Sequence, residues 1–76
     1  MNARRREKLS LASEYLVTAR QLIEKAQDEE QDGLDNLPDG LADSDRAAKM
    51  ENAVDALEDA YSSIDDALES VKEAMA

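Results

Sequence analysis

Carboxylates are the side chains that set the chemistry of this sequence: it has 19 Asp and Glu against nine Lys and Arg. Glu51, Glu58 and Asp65 recur every seven residues, Asp59, Asp66 and Glu73 recur beside them, and Asp55 and Glu69 fill the interval. On a helix this spacing gathers all eight on one broad face. Only Arg46, Lys49 and Lys72 are interspersed in the same stretch. Like charges four residues apart, as in Glu51–Asp55, Asp55–Asp59 and Asp65–Glu69, each cost a few tenths of a kcal/mol. A helix that accepts them has either a strong core or a use for the field. A row of carboxylates on a rigid rod can imitate nucleic-acid phosphates and occupy a basic groove on a partner protein. The plainer role is a solvated coat that maintains solubility.

A second carboxylate cluster lies in "DEEQDGLDNLPD", residues 28 to 39. Asp28, Glu30 and Asp32 stand at positions 1, 3 and 5 of a calcium-loop spacing, with Gly33 at 6, Asn36 at 9 and Asp39 at 12. The fit is weak. Glu30 is long for its position, Asp39 is a poor bidentate ligand, Asp35 replaces an apolar residue, and Pro38 blocks an exiting helix. Cys and His are absent, which removes thiolate and imidazole nucleophiles, the usual zinc sites and haem ligation. A di-metal bundle site needs Glu-x-x-His pairs facing inward. No hydroxyl has an evident base, and no Gly-rich phosphate loop occurs. The reading is a non-enzyme with no cofactor and no catalytic residue.

The elements that position the acids follow from punctuation. Gly33, Pro38 and Gly40 are the only Gly and Pro residues. Pro38-Asp39-Gly40 reads as a tight turn in which Gly40 accepts a positive φ. Gly33 fits the position just past a helix end, and Ser44 or Asp43 fits an N-cap. One helix is predicted over about residues 3–31 and a second over about 45–75, joined by a connection over about 32–44. Two helices of similar length with a short link predict an all-α, single-domain antiparallel hairpin.

In the second helix Ala47, Met50, Val54, Leu57, Tyr61, Ile64, Leu68, Val71 and Met75 alternate in steps of three and four, which assigns heptad positions a and d. Ala53, Ala60, Ala67 and Ala74 then fall at g. In the first helix Leu9, Leu16 and Ile23 fall at a, Ala12, Ala19 and Ala26 at d, and Tyr15 and Leu22 at g. Folding about residues 38–39 pairs positions whose numbers add to about 77. Leu9 then meets Leu68, Leu16 meets Tyr61, and Ile23 meets Val54. Small faces large elsewhere, with Ala12, Ala19 and Ala26 near Ile64, Leu57 and Met50, Tyr15 near Ala60, and Leu22 near Ala53. The alanines are packing residues that let the helix axes approach. The expected seam is thus Leu9, Tyr15, Leu16, Leu22, Ile23, Val54, Leu57, Tyr61, Ile64 and Leu68, with Leu34, Leu37 and Leu41 plugging the open end. Three apolar positions in seven make a face wider than one partner helix covers, so a homodimer forming a four-helix bundle is expected. Docking of the same face on a different protein is the alternative.

Net charge is −10 and unevenly placed, +3 over residues 1–27 and −13 over residues 28–76. An acidic chain should repel nucleic acid and membranes and attract basic partners. The basic start, Arg4, Arg5, Arg6 and Lys8, is expected beside Glu69 and Glu73, as cross-helix ion pairs or simply as a frayed basic arm, rather than as a nucleic-acid site. It precedes no continuous apolar run, so it does not read as a signal peptide, and a cytoplasmic location is expected. Residues 28–75 resemble small acidic helical proteins encoded in phages and prophages of Gram-positive bacteria. The match lies in the connection, at Asp35, Asn36, Leu37, Pro38, Leu41, Ser44, Arg46, Met50 and Glu51. The resemblance implies a viral or mobile-element context in a bacterial host cell, where compact acidic proteins often inhibit host defence or DNA-binding enzymes. Joined to the acidic face read above, it gives an expected inhibitor whose contacts are Glu51, Asp55, Glu58, Asp59, Asp65, Asp66, Glu69 and Glu73. The competing expectation is an oligomerisation bundle whose acidic coat serves solubility only.

Overall fold

The computed structural model describes all 76 residues, and it is an antiparallel pair of helices. Helix α1 spans Ala3–Asp35 and helix α2 spans Asp45–Met75, with a 3₁₀ turn at Asp39–Leu41 between them. Together they make a rod of 59 × 14 × 13 Å. The rod has the length expected of some 33 helical residues at about 1.5 Å each, plus its ends.

Helix α2 starts and stops where its sequence signals place it. The Ser44 Oγ accepts a hydrogen bond from the Ala47 N–H at 3.3 Å, and the same hydroxyl donates to the Leu41 carbonyl at 2.6 Å. Asp45 in the first turn and Lys72 in the last complement the helix dipole.

Helix α1 runs four residues past its expected end. Gly33 lies inside the helix, and no residue, glycine or otherwise, has a positive φ. The stop comes instead from Asn36 and Pro38. Both the backbone N–H and Nδ2 of Asn36 donate to the Asp32 carbonyl, at 3.1 and 2.7 Å. Pro38 then bars Leu37 from the helical region. The Pro38 carbonyl accepts from the Leu41 N–H at 2.8 Å, so the expected turn is present but right-handed, with no special demand on Gly40. Gly33 supplies space: a Cβ there would lie 2.9 Å from the Met50 methyl, so its absence lets Met50 settle onto α1.

The longer α1 changes the register. Arg20 reaches Asp65, Gln27 reaches Glu58 and the Val54 carbonyl, and Met50 lies over Gly33. The residue numbers within these pairs add to between 81 and 85. The expected pairs Leu9–Leu68, Leu16–Tyr61 and Ile23–Val54 are therefore corrected by one heptad. The observed register sets Leu9 level with Met75, Leu16 with Leu68, and Ile23 with Tyr61. A slip of seven residues returns every a to an a and every d to a d, so the heptad pattern cannot register it. The capping chemistry at Asn36 and Pro38 decides.

Helix α1 is also rotated relative to expectation. Leu9, Leu16 and Ile23 at a are half-buried, as are Ser13, Arg20 and Gln27 at e, whereas Ala26 at d is exposed. Tyr15 and Leu22 are 66% and 64% exposed, so both lie outside the seam between α1 and α2. One partner helix cannot cover a face three positions wide. The rotation that brings Arg20 and Gln27 to their acceptors turns the g positions outward. On α2 the expected seam is in place: Val54, Leu57, Tyr61, Ile64 and Leu68 are half-buried, with Ala53, Ala60 and Ala67 alongside. Full burial is confined to Ala47, which is 1% exposed and sits near the connection. There Leu34 and Leu37 are half-buried, while Leu41 remains 40% exposed and closes the end only partly.

Candidate interaction surface

At about 100° per residue, the eight carboxylates of α2 from Glu51 to Glu73 fall within an arc of about 120°, next to the seam on its e side. Two of them are engaged within the chain. Asp65 forms the only ion pair, accepting from Arg20 Nη1, and the guanidinium carbon lies 5.7 Å from the centre of the Tyr61 ring. The hydrogen bond that Arg20 donates to Asp65 raises the Arg20 pKa; partial desolvation opposes this, and the nearby negative charge of Asp65 adds to it. Glu58 accepts from Gln27 Nε2 at 2.7 Å, and the same amide reaches the Val54 carbonyl at 3.4 Å. These two clamps, one heptad apart on each helix, hold α1 against the e side of α2.

The other six carboxylates, Glu51, Asp55, Asp59, Asp66, Glu69 and Glu73, are exposed and carry no ion pair. From Glu51 to Glu73 the eight acids span about 33 Å; with Asp65 neutralised by Arg20, seven negative charges remain, one per about 5 Å. A single strand of duplex DNA carries one per about 3.4 Å along the axis. The face therefore approaches a nucleic-acid strand in linear charge density without equalling it.

Of the two expectations for the basic start, the cross-helix ion pairs are absent. The observed register sets residue 8 level with the end of α2, and a furrow at this end is lined by Ser10 and Ser13 of α1 and by Lys72, Met75 and Ala76 of α2. Arg4, Arg5 and Arg6 stand beyond that point and pair with neither Glu69 nor Glu73. Helix α1 thus carries its charges against its own dipole. Its first turn has arginines and no acid, while its last turns carry Asp28, Glu29, Glu30, Asp32 and Asp35 and end without a base. Each such mismatch costs on the order of 0.3–1 kcal/mol at an exposed terminus.

The calcium-loop candidate is overturned. Asp28, Glu30 and Asp32 belong to the continuous helix α1, where residues two apart point to opposite sides. Gly33 makes no bend, Asn36 is committed to the Asp32 carbonyl, and Asp39 opens the 3₁₀ turn. No three acidic side chains converge on a point that could hold a metal ion. A second furrow, of about 300 Å³, is lined by Arg20, Asp65, Leu68, Glu69 and Lys72. With one apolar residue among five it lacks the apolar concavity that small ligands require.

Sequence reasoning missed Arg20 and Gln27, the residues that lock the register. Arg20 is the only Lys or Arg between Lys8 and Lys25 and stands at position e, opposite the acidic e row of α2. That is the signal that could have found it. Leu11, 49% exposed on the same side of α1 as Tyr15 and Leu22, was missed as well. No helix is long and apolar enough to cross a membrane. The chain matches no protein-family model, no curated protein and no solved structure. The phage resemblance of the connection therefore rests on the sequence alone.

Proposed function

We propose that this chain is a non-enzymatic protein–protein interaction module that offers the outer face of α2 to a basic partner protein. In its sharp form it is an inhibitor that occupies a nucleic-acid groove on a bacterial host protein. The observation that supports this most strongly is the row of six exposed carboxylates, none in an ion pair, held on a helix clamped by Arg20–Asp65 and Gln27–Glu58. A preorganised row of charge binds without an ordering cost and steers a basic partner towards it.

A second reading, an assembly module whose acids only maintain solubility, is favoured by burial being confined to Ala47. One experiment separates the two. Proteins retained from a bacterial lysate by the immobilised chain should be released by added duplex DNA. They should also be lost when Asp55, Asp59 and Asp66 are all changed to Lys. Retention that is indifferent both to DNA and to the triple reversal, yet abolished by Leu57→Asp, refutes the carboxylate reading in favour of assembly.

A further inference from the structure

Helix α1 carries a second heptad seam that faces away from α2. Arg4, Lys8, Leu11, Tyr15, Thr18, Leu22, Lys25 and Glu29 follow one another in alternating steps of four and three. All eight are exposed, and Leu11, Tyr15 and Leu22 are three of the five large exposed hydrophobic residues in the chain. The line lies on the g side of the hairpin, opposite the clamps made by Arg20 and Gln27. The neighbouring face of α2 carries Ala53, Ala56, Ala60, Ser63 and Ala67 and no acid.

The line is close to its own reverse. Laid antiparallel on a second copy, with the two-fold axis between residues 16 and 17, Leu11 meets the partner's Leu22, Tyr15 meets Thr18, and Arg4 meets Glu29. Lys8 against Lys25 is the one unfavourable layer, and Glu29 lies one turn from Lys25. The same pairing lays Arg5 and Arg6 alongside the partner's Asp28 and Glu29. It supplies the first turn of α1 with the acids that its dipole leaves wanting.

The exposed area agrees. A folded monomer of 8.4 kDa exposes about 4,600 Å² by the usual size scaling, whereas this chain exposes 5718 Å². The excess of about 1,100 Å² belongs to the 59 × 14 × 13 Å rod as a whole, and it leaves room for the roughly 800 Å² that each partner buries in a standard interface.

We propose that the chain forms a two-fold symmetric dimer through an antiparallel α1–α1 contact built on Leu11, Tyr15 and Leu22. Arg4 of each copy pairs with Glu29 of the other. This contact lies away from the carboxylate face, so it is independent of the reading proposed above and either can fail alone.

Sedimentation equilibrium across a hundredfold range of concentration tests it. The wild-type chain should be a dimer. Leu22→Glu should raise the dissociation constant by at least about a hundredfold, because two buried leucines are lost for each dimer. Its helical circular dichroism should persist, since Leu22 is 64% exposed in the hairpin. Glu29→Arg should weaken the dimer roughly tenfold, and adding Arg4→Glu should restore it to within a few-fold. With no native cysteine, Thr18→Cys should oxidise to a linked dimer, whereas Leu11→Cys, about 16 Å from its copy along the axis, should not. A monomer at every concentration overturns the proposal, as does a dimer untouched by Leu22→Glu. Equal cross-linking through Leu11→Cys and Thr18→Cys overturns the antiparallel pairing.

Discussion

Replacing Gly33 by Ala tests the path of α1 by the sign of a single number. In the structure Gly33 is an interior helical residue with negative φ, two residues before the end of α1. Glycine in such a place costs about 0.5–1 kcal/mol relative to alanine, mainly in backbone entropy. The added Cβ meets one atom too closely, the Met50 methyl at 2.9 Å. That methyl is the tip of an unbranched side chain with three rotatable bonds, and it can swing aside at small cost. The net expectation is stabilisation of about 0.5 kcal/mol, with about 1 kcal/mol as the upper bound. For a chain of this size that raises Tm by about 2–8 °C. Had the helix ended near residue 31 with Gly33 in the left-handed region, the same change would cost about 1–2 kcal/mol. Thermal unfolding followed by circular dichroism decides, with both proteins at one concentration so that association does not shift Tm. As a control, Gly33→Leu drives a branched side chain against Met50 and should forfeit the gain. A Tm lowered by Gly33→Ala refutes the course of α1 and the register built on it.

Changing Asp55, Asp59 and Asp66 to Lys exchanges the Asp55–Asp59 repulsion for an equivalent Lys–Lys one but sets Lys at 55 between Glu51 and Glu58 as opposite-charge neighbours, so the hairpin should hold or gain a few tenths of a kcal/mol; a large loss in a denaturant titration would show that these acids serve the fold. Deleting residues 1–6 removes helix that extends past the end of α2, and Tm should fall by no more than a few degrees. A collapse of the hairpin would mean that the arginines pair with Glu69 and Glu73 after all. A double-mutant cycle with Arg20→Met and Asp65→Asn should give only a small coupling, since both side chains are partly exposed and solvent screens the pair. The raised pKa of Arg20 means that its contribution is present below the ordinary arginine pKa and fades only as pH rises through the folded value. The coupling should therefore be the same at pH 6 and pH 9, and a change between them would point to a different partner.

The fold class and the whole of α2 were legible because Ser44 and the unbroken line from Ala47 to Met75 are local signals, read one turn at a time. The end of α1 was not. Gly33 and Asn36 both carry helix-stop chemistry, and the choice depends on Met50, seventeen residues away, filling the space above Gly33. The register was hidden by the regularity that made the helices easy to find, because a heptad repeat matches itself after seven residues. The acidic face could be placed because it needs only the helical period. Which of its members are spent inside the chain could not, because Arg20 and Gln27 choose Asp65 and Glu58 through the register. Tyr15 and Leu22 read as core because hydropathy gives the width of an apolar face and not which part of it a single neighbour covers.

That register underlies both proposed surfaces. It leaves Arg4, Arg5 and Arg6 free, leaves Glu69 and Glu73 unpaired, and leaves Leu11, Tyr15 and Leu22 exposed. The most direct test uses two pairs of nitroxide labels on introduced cysteines, Gln27→Cys with Glu58→Cys and Gln27→Cys with Glu51→Cys. Labelled protein is mixed with an excess of unlabelled chain, so that only distances within one chain contribute. The two pairs differ by seven residues, about 10 Å along the helix axis. Strong dipolar broadening for 27 with 58, and weak broadening for 27 with 51, is the predicted result. The reverse order would place the hairpin one heptad away and contradict the account.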